Sequence, residues 1–104
     1  MAMMLLTKKD LKALPPYGAQ DGKGDAAIAY VKFFSPYTNW TWYATEQDLE
    51  NGCLFGLVFG LEMELGSISI EELETKKNGL PLVERDRYFS PTTLGEIKKL
   101  HGRD

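Results

Sequence analysis

The stretch Leu54-Phe55-Gly56-Leu57-Val58-Phe59-Gly60-Leu61-Glu62-Met63-Glu64-Leu65 decides how this chain folds. From Phe55 to Leu65 every second residue is large and apolar. The alternate set runs from Leu54, Gly56, Val58 and Gly60 to the carboxylates Glu62 and Glu64. A period of two puts these sets on opposite faces of a strand. The pattern predicts one long central strand over 54–65, with Phe55, Leu57, Phe59, Leu61 and Met63 buried. Gly56 and Gly60 leave notches that an aromatic ring or another backbone can fill. Their Gly-x-x-x-Gly spacing also occurs in membrane helices, but this segment is too short and too acidic for one.

Upstream, Ala27 to Phe34 is rich in strand formers, Ser35-Pro36-Tyr37-Thr38 reads as a turn, and Asn39 to Glu46 reads as a second strand. On that strand Trp40, Trp42 and Ala44 share one face and Thr41, Tyr43 and Thr45 the other. The short connection predicts an antiparallel hairpin. Thr7-Lys8-Lys9-Asp10 has the form of a helix start, with Leu11 and Leu14 inward and Pro15-Pro16 as the stop. Tyr17 to Asp25, with Gly18, Gly22 and Gly24, reads as a flexible loop. Its Gly22-Lys23-Gly24 lacks the preceding strand and following Gly-Lys-Ser/Thr of a phosphate cradle.

Downstream, Gln47 to Gly52 reads as a polar connector. Ser69-Ile70-Glu71-Glu72 is a capping box opening a two-turn helix that ends at the Asn78-Gly79 pair. Leu82 to Phe89 reads as a charged edge strand. Thr93-Leu94-Gly95-Glu96 caps a last helix with Leu94, Ile97 and Leu100 as its apolar stripe. The expected order is α-β-β-β-α-β-α. That is a single α+β domain over 1–104, with a small, mainly antiparallel sheet of three or four strands packed against short helices.

Composition narrows the chemistry. The chain has 104 residues, 43% hydrophobic and 26% charged, with a net charge of -3. That is the profile of a globular domain, neither disordered nor fibrous. Its longest apolar run, Cys53 to Leu61, is less than half the roughly 20 residues of a membrane helix. Cys53 and His101 are the only residues of their kinds, too few for a disulfide or a structural zinc site. Cys53, beside Leu54 and Phe55, reads as a small buried hydrophobe. His101, in a tail expected to fray, is poorly placed for a general base. The Met1 to Leu6 run has neither a leading basic residue nor a cleavage site, so a cytoplasmic protein is expected. No catalytic set, metal centre or cofactor loop is expected.

Charge is uneven. Residues 1–35 carry five Lys and three Asp, and residues 76–104 seven bases and four acids. Residues 36–75 hold eight acids, Glu46, Asp48, Glu50, Glu62, Glu64, Glu71, Glu72 and Glu74, and no Lys or Arg. Part of this charge is expected to be neutralised from the ends, with Lys32 on the strand beside this region and Arg85 and Arg87 reaching Glu62 and Glu64. What remains disfavours direct nucleic-acid binding, which relies on Lys and Arg, and favours a basic protein surface. The aromatics Phe33, Phe34, Tyr37, Trp40, Trp42 and Tyr43 cluster in the same region. Most are expected in the core, the rest in a contact patch. Glu62 and Glu64, two apart on a strand, would project from one face about 7 Å apart. That separation suits an inverting hydrolase, though such enzymes need a deep cleft.

Several segments together resemble the small bacterial family catalogued as domain of unknown function 2958. They are Leu6-Thr7 with Leu11 and Leu14-Pro15, Ala29 to Phe34, Trp40 to Glu46, Phe55 to Val58 with Glu62 to Gly66, and Glu84-Arg85-Asp86 with Phe89 and Pro91 to Leu94. Gly66-Ser67 departs from it, since an aromatic is expected after the glycine, and some packing is lost there. The resemblance implies a phage, plasmid or other mobile-element setting in a bacterial cytoplasm, often near genes that handle host defence. It implies no catalytic residue. The expected function is a non-catalytic accessory or counter-defence protein, of anti-CRISPR or anti-restriction type. Its partner would be a basic surface on a nucleic-acid-handling host complex. The contact residues would be the eight acids together with Tyr37, Trp40 and Trp42. Nucleic-acid binding through the basic termini and a small Glu62/Glu64 hydrolase are the alternatives.

Leu57 lies at the middle of the deciding stretch. Leu57→Ala is expected to cost about 2–5 kcal/mol in urea denaturation, enough to unfold much of so small a domain.

Overall fold

A computed structural model describes residues 6–102. The apolar run Met1 to Leu5 lies outside them. The chain forms helix α1 (Lys8–Ala13), strands β1 (Ile28–Ala29), β2 (Val31–Phe34), β3 (Thr41–Asp48), β4 (Cys53–Phe59) and β5 (Met63–Ser69), and helix α2 (Ile70–Leu73). Then come β6 (Lys76–Lys77), β7 (Leu80–Pro81), β8 (Glu84–Arg85), β9 (Thr92–Thr93) and helix α3 (Leu94–Leu100). The main sheet has five antiparallel strands in the order β5-β4-β3-β2-β8. Two small pairs, β1 with β9 and β6 with β7, flank it. The α+β class follows as expected, with one more strand in the main sheet.

The extra strand comes from the deciding stretch, which is a hairpin and not one long strand. β4 and β5 pair from Cys53–Ser69 to Phe59–Met63 around the turn Gly60-Leu61-Glu62. Leu61 therefore lies at a turn and is 93% exposed, and Leu65 is exposed on the edge strand. Met63 and Phe55 are half-buried. Leu57, 2% exposed, and Phe59 are in the core as expected.

Both faces of the sheet are covered. On one, Val31, Phe33, Ala44, Leu54 and Ile68 pack with Leu14, which follows α1, and Leu73 of α2. On the other, Tyr43, Leu57 and Phe59 pack with Ala27, Ala29 and α3 residues Leu94 and Ile97. Each helix starts where a cap was legible. Thr7 and Asp10 form the reciprocal box of α1, while Ser69 accepts from the Glu72 N–H and Thr93 from the Glu96 N–H. Asp10, buried, also holds Arg85 of β8 at 2.5 Å, which ties α1 to the sheet edge.

Other expectations need correction. The 27–34 strand breaks at Tyr30, whose N–H turns to the Ala44 carbonyl, leaving β1 to pair with β9. Gln47 and Asp48 continue β3 instead of forming a connector. Helix α2 is a single turn, and Asn78-Gly79, both left-handed, form the turn between β6 and β7. The same left-handed pair that stops helices also makes hairpin turns. The 82–89 strand shrinks to Glu84–Arg85. Leu100 is exposed, and Cys53 is half-buried.

Both predicted notches are filled. A Cβ on Gly56 would overlap the Tyr43 carbonyl of β3, and one on Gly60 would lie 2.6 Å from the Trp40 ring. Gly56→Ala must push two paired strands apart, with an expected loss of about 1–3 kcal/mol or more in urea denaturation. Leu61→Glu, at the exposed turn, is expected to change stability by less than about 0.5 kcal/mol.

Candidate functional site

The turn that ends β2 and the turn that ends β4 lie at the same end of the sheet, since Phe34 pairs with Thr41 and Thr41 with Phe59. Trp40 leaves the β2–β3 turn and covers Gly60, with its ring 6.0 Å from that of Trp42. Trp42 pairs with Val58 and Val58 with Glu64, so these three residues cross one face of the sheet in a row. Neighbouring strands are about 4.8 Å apart, which places Glu64 roughly 10 Å from Trp42. Glu62 stands in the turn beside Gly60.

A shallow groove of about 330 Å³ runs from Trp40 and Trp42 to Glu72, Leu73, Leu82 and Val83. A second, of about 370 Å³, shares Leu82 and adds Tyr37, Leu80 and Lys77. Tyr37, 64% exposed, marks its far end. Among the proposed contact residues, Tyr37, Trp40, Trp42 and Glu72 thus share one continuous surface, with Glu64 two strands from Trp42 on the same face. Leu80 and Leu82, which complete it, were not legible because the Asn78-Gly79 turn was read as a helix end.

The remaining acids fall elsewhere. Glu71 is exposed on α2 without lining the groove. Glu74 caps the end of α2. Asp48 and Glu50 sit at the far end of β3, about 20 Å along the strand from Trp42. Glu46 is not a surface acid at all. It is 3% exposed, and its carboxylate accepts the N–H groups of Gly18 at 2.8 Å and Gln20 at 2.6 Å. The Gln20 side chain in turn donates to the Ile28 and Thr45 carbonyls and accepts from the Ile28 N–H. The loop expected to be flexible is therefore anchored to the sheet.

The expected neutralisation of Glu62 and Glu64 also takes another form. Lys32 pairs with Asp86 at 3.5 Å, Arg85 with Asp10, and Lys98 with Asp25 at 2.6 Å. The bases of the two ends thus serve acids of the two ends. Nor do Glu62 and Glu64 form a strand pair, since Glu62 belongs to the turn and both are exposed. A carboxylate dyad without an enclosing cleft has no means of holding a sugar. Among the described residues no group of three His, Cys, Asp or Glu is placed to hold a metal ion.

His101 does not fray. Its ring stacks on Phe59 at 3.9 Å, and Nε2 lies 2.7 Å from the Tyr43 hydroxyl. Burial, reinforced by the negative charge of Asp86, pushes the Tyr43 phenol up to about 12. A phenol that keeps its proton so firmly is no general base. The contact serves instead to fasten the end of α3 to β3.

Over residues 5–97 the chain matches the family described as a protein of unknown function, DUF2958. The chain belongs to this family. No curated protein and no solved structure matches it. The family's description carries no activity, and no helix among the described residues is long and apolar enough to cross a membrane.

The Tyr43 phenol gives a pH signature. Its unfolded counterpart ionises near 10, so the native state holds the proton more tightly. The associated stability is whole below pH 10 and is lost as the pH rises toward 12, roughly 2–3 kcal/mol in all. Urea denaturation between pH 9 and 12 is expected to show this fall in the wild type, and a shallower one in Tyr43→Phe.

Proposed function

We propose that this protein is a non-catalytic binding module that docks a basic segment of a partner protein in the tryptophan-lined groove. The observation that carries the reading is that both tryptophans line one groove with Glu72, while Glu64 lies two strands across the same face and Glu62 in the neighbouring turn. Trp faces attract guanidinium and ammonium groups, and acids at a rim steer a basic partner into register. Lys77 bounds the groove beside Tyr37, so the basic segment enters from the β5 side. Placed in the mobile-element setting that the family resemblance implies, its proposed role is that of an accessory or counter-defence protein in a bacterial cytoplasm. In that role it occupies a basic surface of a nucleic-acid-handling complex, in the manner of an anti-CRISPR or anti-restriction inhibitor.

Direct nucleic-acid binding fits less well. Three of the bases it would use, Lys32, Arg85 and Lys98, are engaged by Asp86, Asp10 and Asp25. Phosphate contacts need free cations.

Trp40 and Trp42 are the only tryptophans of the chain, so its tryptophan fluorescence reports on the groove alone. Titration with an arginine-rich peptide is expected to change that fluorescence, more weakly as salt rises, while the citrulline counterpart has no effect. Reversing Glu62, Glu64 and Glu72 to Lys should weaken binding by at least about tenfold, with the fold retained. Equal binding of the reversed protein, or of the citrulline peptide, would rule the groove out.

A further inference from the structure

A separate cavity of about 210 Å³ opens on the other face of the sheet, beneath the glycine-rich loop 17–26. Its apolar walls include Tyr17, Phe55, Leu65 and Leu94, and its polar floor is Thr45 and Glu46. Thr45 spends its hydroxyl proton on the Phe55 carbonyl. Gln20, also on the wall, donates both amide hydrogens and accepts one bond at Oε1. Each Glu46 oxygen accepts one backbone N–H and keeps a further acceptor position.

Among the described residues, the site holds no counter-charge. None of the three ion pairs includes Glu46, and the other charged side chain on the lining is Asp21, a second acid. A buried carboxylate held by neutral dipoles alone is costly to maintain. Beside it, the rings of Tyr17 and Phe55 meet edge to face at 5.6 Å. A carboxylate at the base and aromatic faces along the wall make up the chemistry that recognises an ammonium group on an apolar body. An apolar cavity of about 150 Å³ admits a benzene ring, so one of about 210 Å³ has room for a ring carrying a short chain. That suits a single-ring or short-chain amine and is too small for a nucleotide.

We infer that this cavity binds a small organic ammonium ion, its charged end on Glu46 and its apolar body between Tyr17, Phe55 and Leu65. The inference is independent of the groove, which lies on the opposite face and at the other end of β3.

Calorimetric titration of the whole protein at neutral pH with benzylamine, benzyl alcohol and benzoate tests it. Protonated benzylamine is expected to bind one to one, at least about tenfold more tightly than benzyl alcohol, with no heat from benzoate. Glu46→Gln should remove that preference for the charged ligand. Where this variant fails to fold, Leu65→Trp decides. It changes an exposed edge residue at the cavity mouth and should abolish binding with the fold intact. Tryptophan fluorescence of the wild type should stay unchanged on adding benzylamine. No benzylamine binding, equal binding of the alcohol, or undiminished binding in Leu65→Trp would overturn the inference.

Discussion

The close approach of β3 and β4 at Gly56 is the constraint on which the rest of the sheet depends. Gly56 sits opposite Ala44 with the Tyr43 carbonyl where a side chain would begin. Directly beyond this contact the pairing slips. Ala44 faces Gly56, but Glu46 faces Phe55, leaving Thr45 as the extra residue of a bulge. A bulge transfers every later side chain of its strand to the opposite face. Without it Glu46 would share the face of Trp42 and Ala44. With it Glu46 joins Phe55 on the α3 side, where the glycine-rich loop supplies its two N–H partners. One missing Cβ thereby positions a carboxylate, a loop and a cavity.

This contact also explains where the sequence could and could not be read. Caps are local, so Thr7, Ser69 and Thr93 were legible at the starts of the three helices. The β2–β3 hairpin and the faces of Trp42 and Ala44 were legible for the same reason. The β4–β5 turn was not, because its loop has three residues. Phe59 and Met63 pair, and so share a face, yet they are also four apart in sequence. The alternation therefore runs through the turn with no change of phase and imitates a single strand. Gly60 was the available signal, and it reads equally well as a notch, which it also is.

The proposed contact surface was half legible. Trp40 and Trp42 were read onto one face, and both line the groove although Trp40 lies just before β3, while Glu72 follows from the cap at Ser69. Glu46 was misplaced because a bulge has no signature in composition, and charge counting treats every carboxylate as solvated. Gln20 gave no warning either, since a glutamine between glycines looks like loop. Its value lies in bonding three backbone groups, two on Ile28 and one on distant Thr45, which only the folded chain reveals. His101 was undervalued because nearness to a chain end says little about packing once a neighbouring ring is in place.

The link between Asp10 and Arg85 spans 75 residues, and that between Tyr43 and His101 spans 58. During synthesis the first helix emerges long before the cation that will hold its buried aspartate, and the central strand before the histidine that closes over it. Hairpins β2–β3 and β4–β5 can zip up on their own as they appear. Helix α1 can dock once β3 is made, since Gln47 bonds the Leu11 and Leu14 carbonyls, whereas docking of α3 waits for residues 94–100. Such distant pairings slow folding, because the chain must close large loops before it gains their contacts. The sheet face that α3 covers stays bare until residues 94–97 have emerged, and over that interval a chaperone or a second nascent copy has its best access to it.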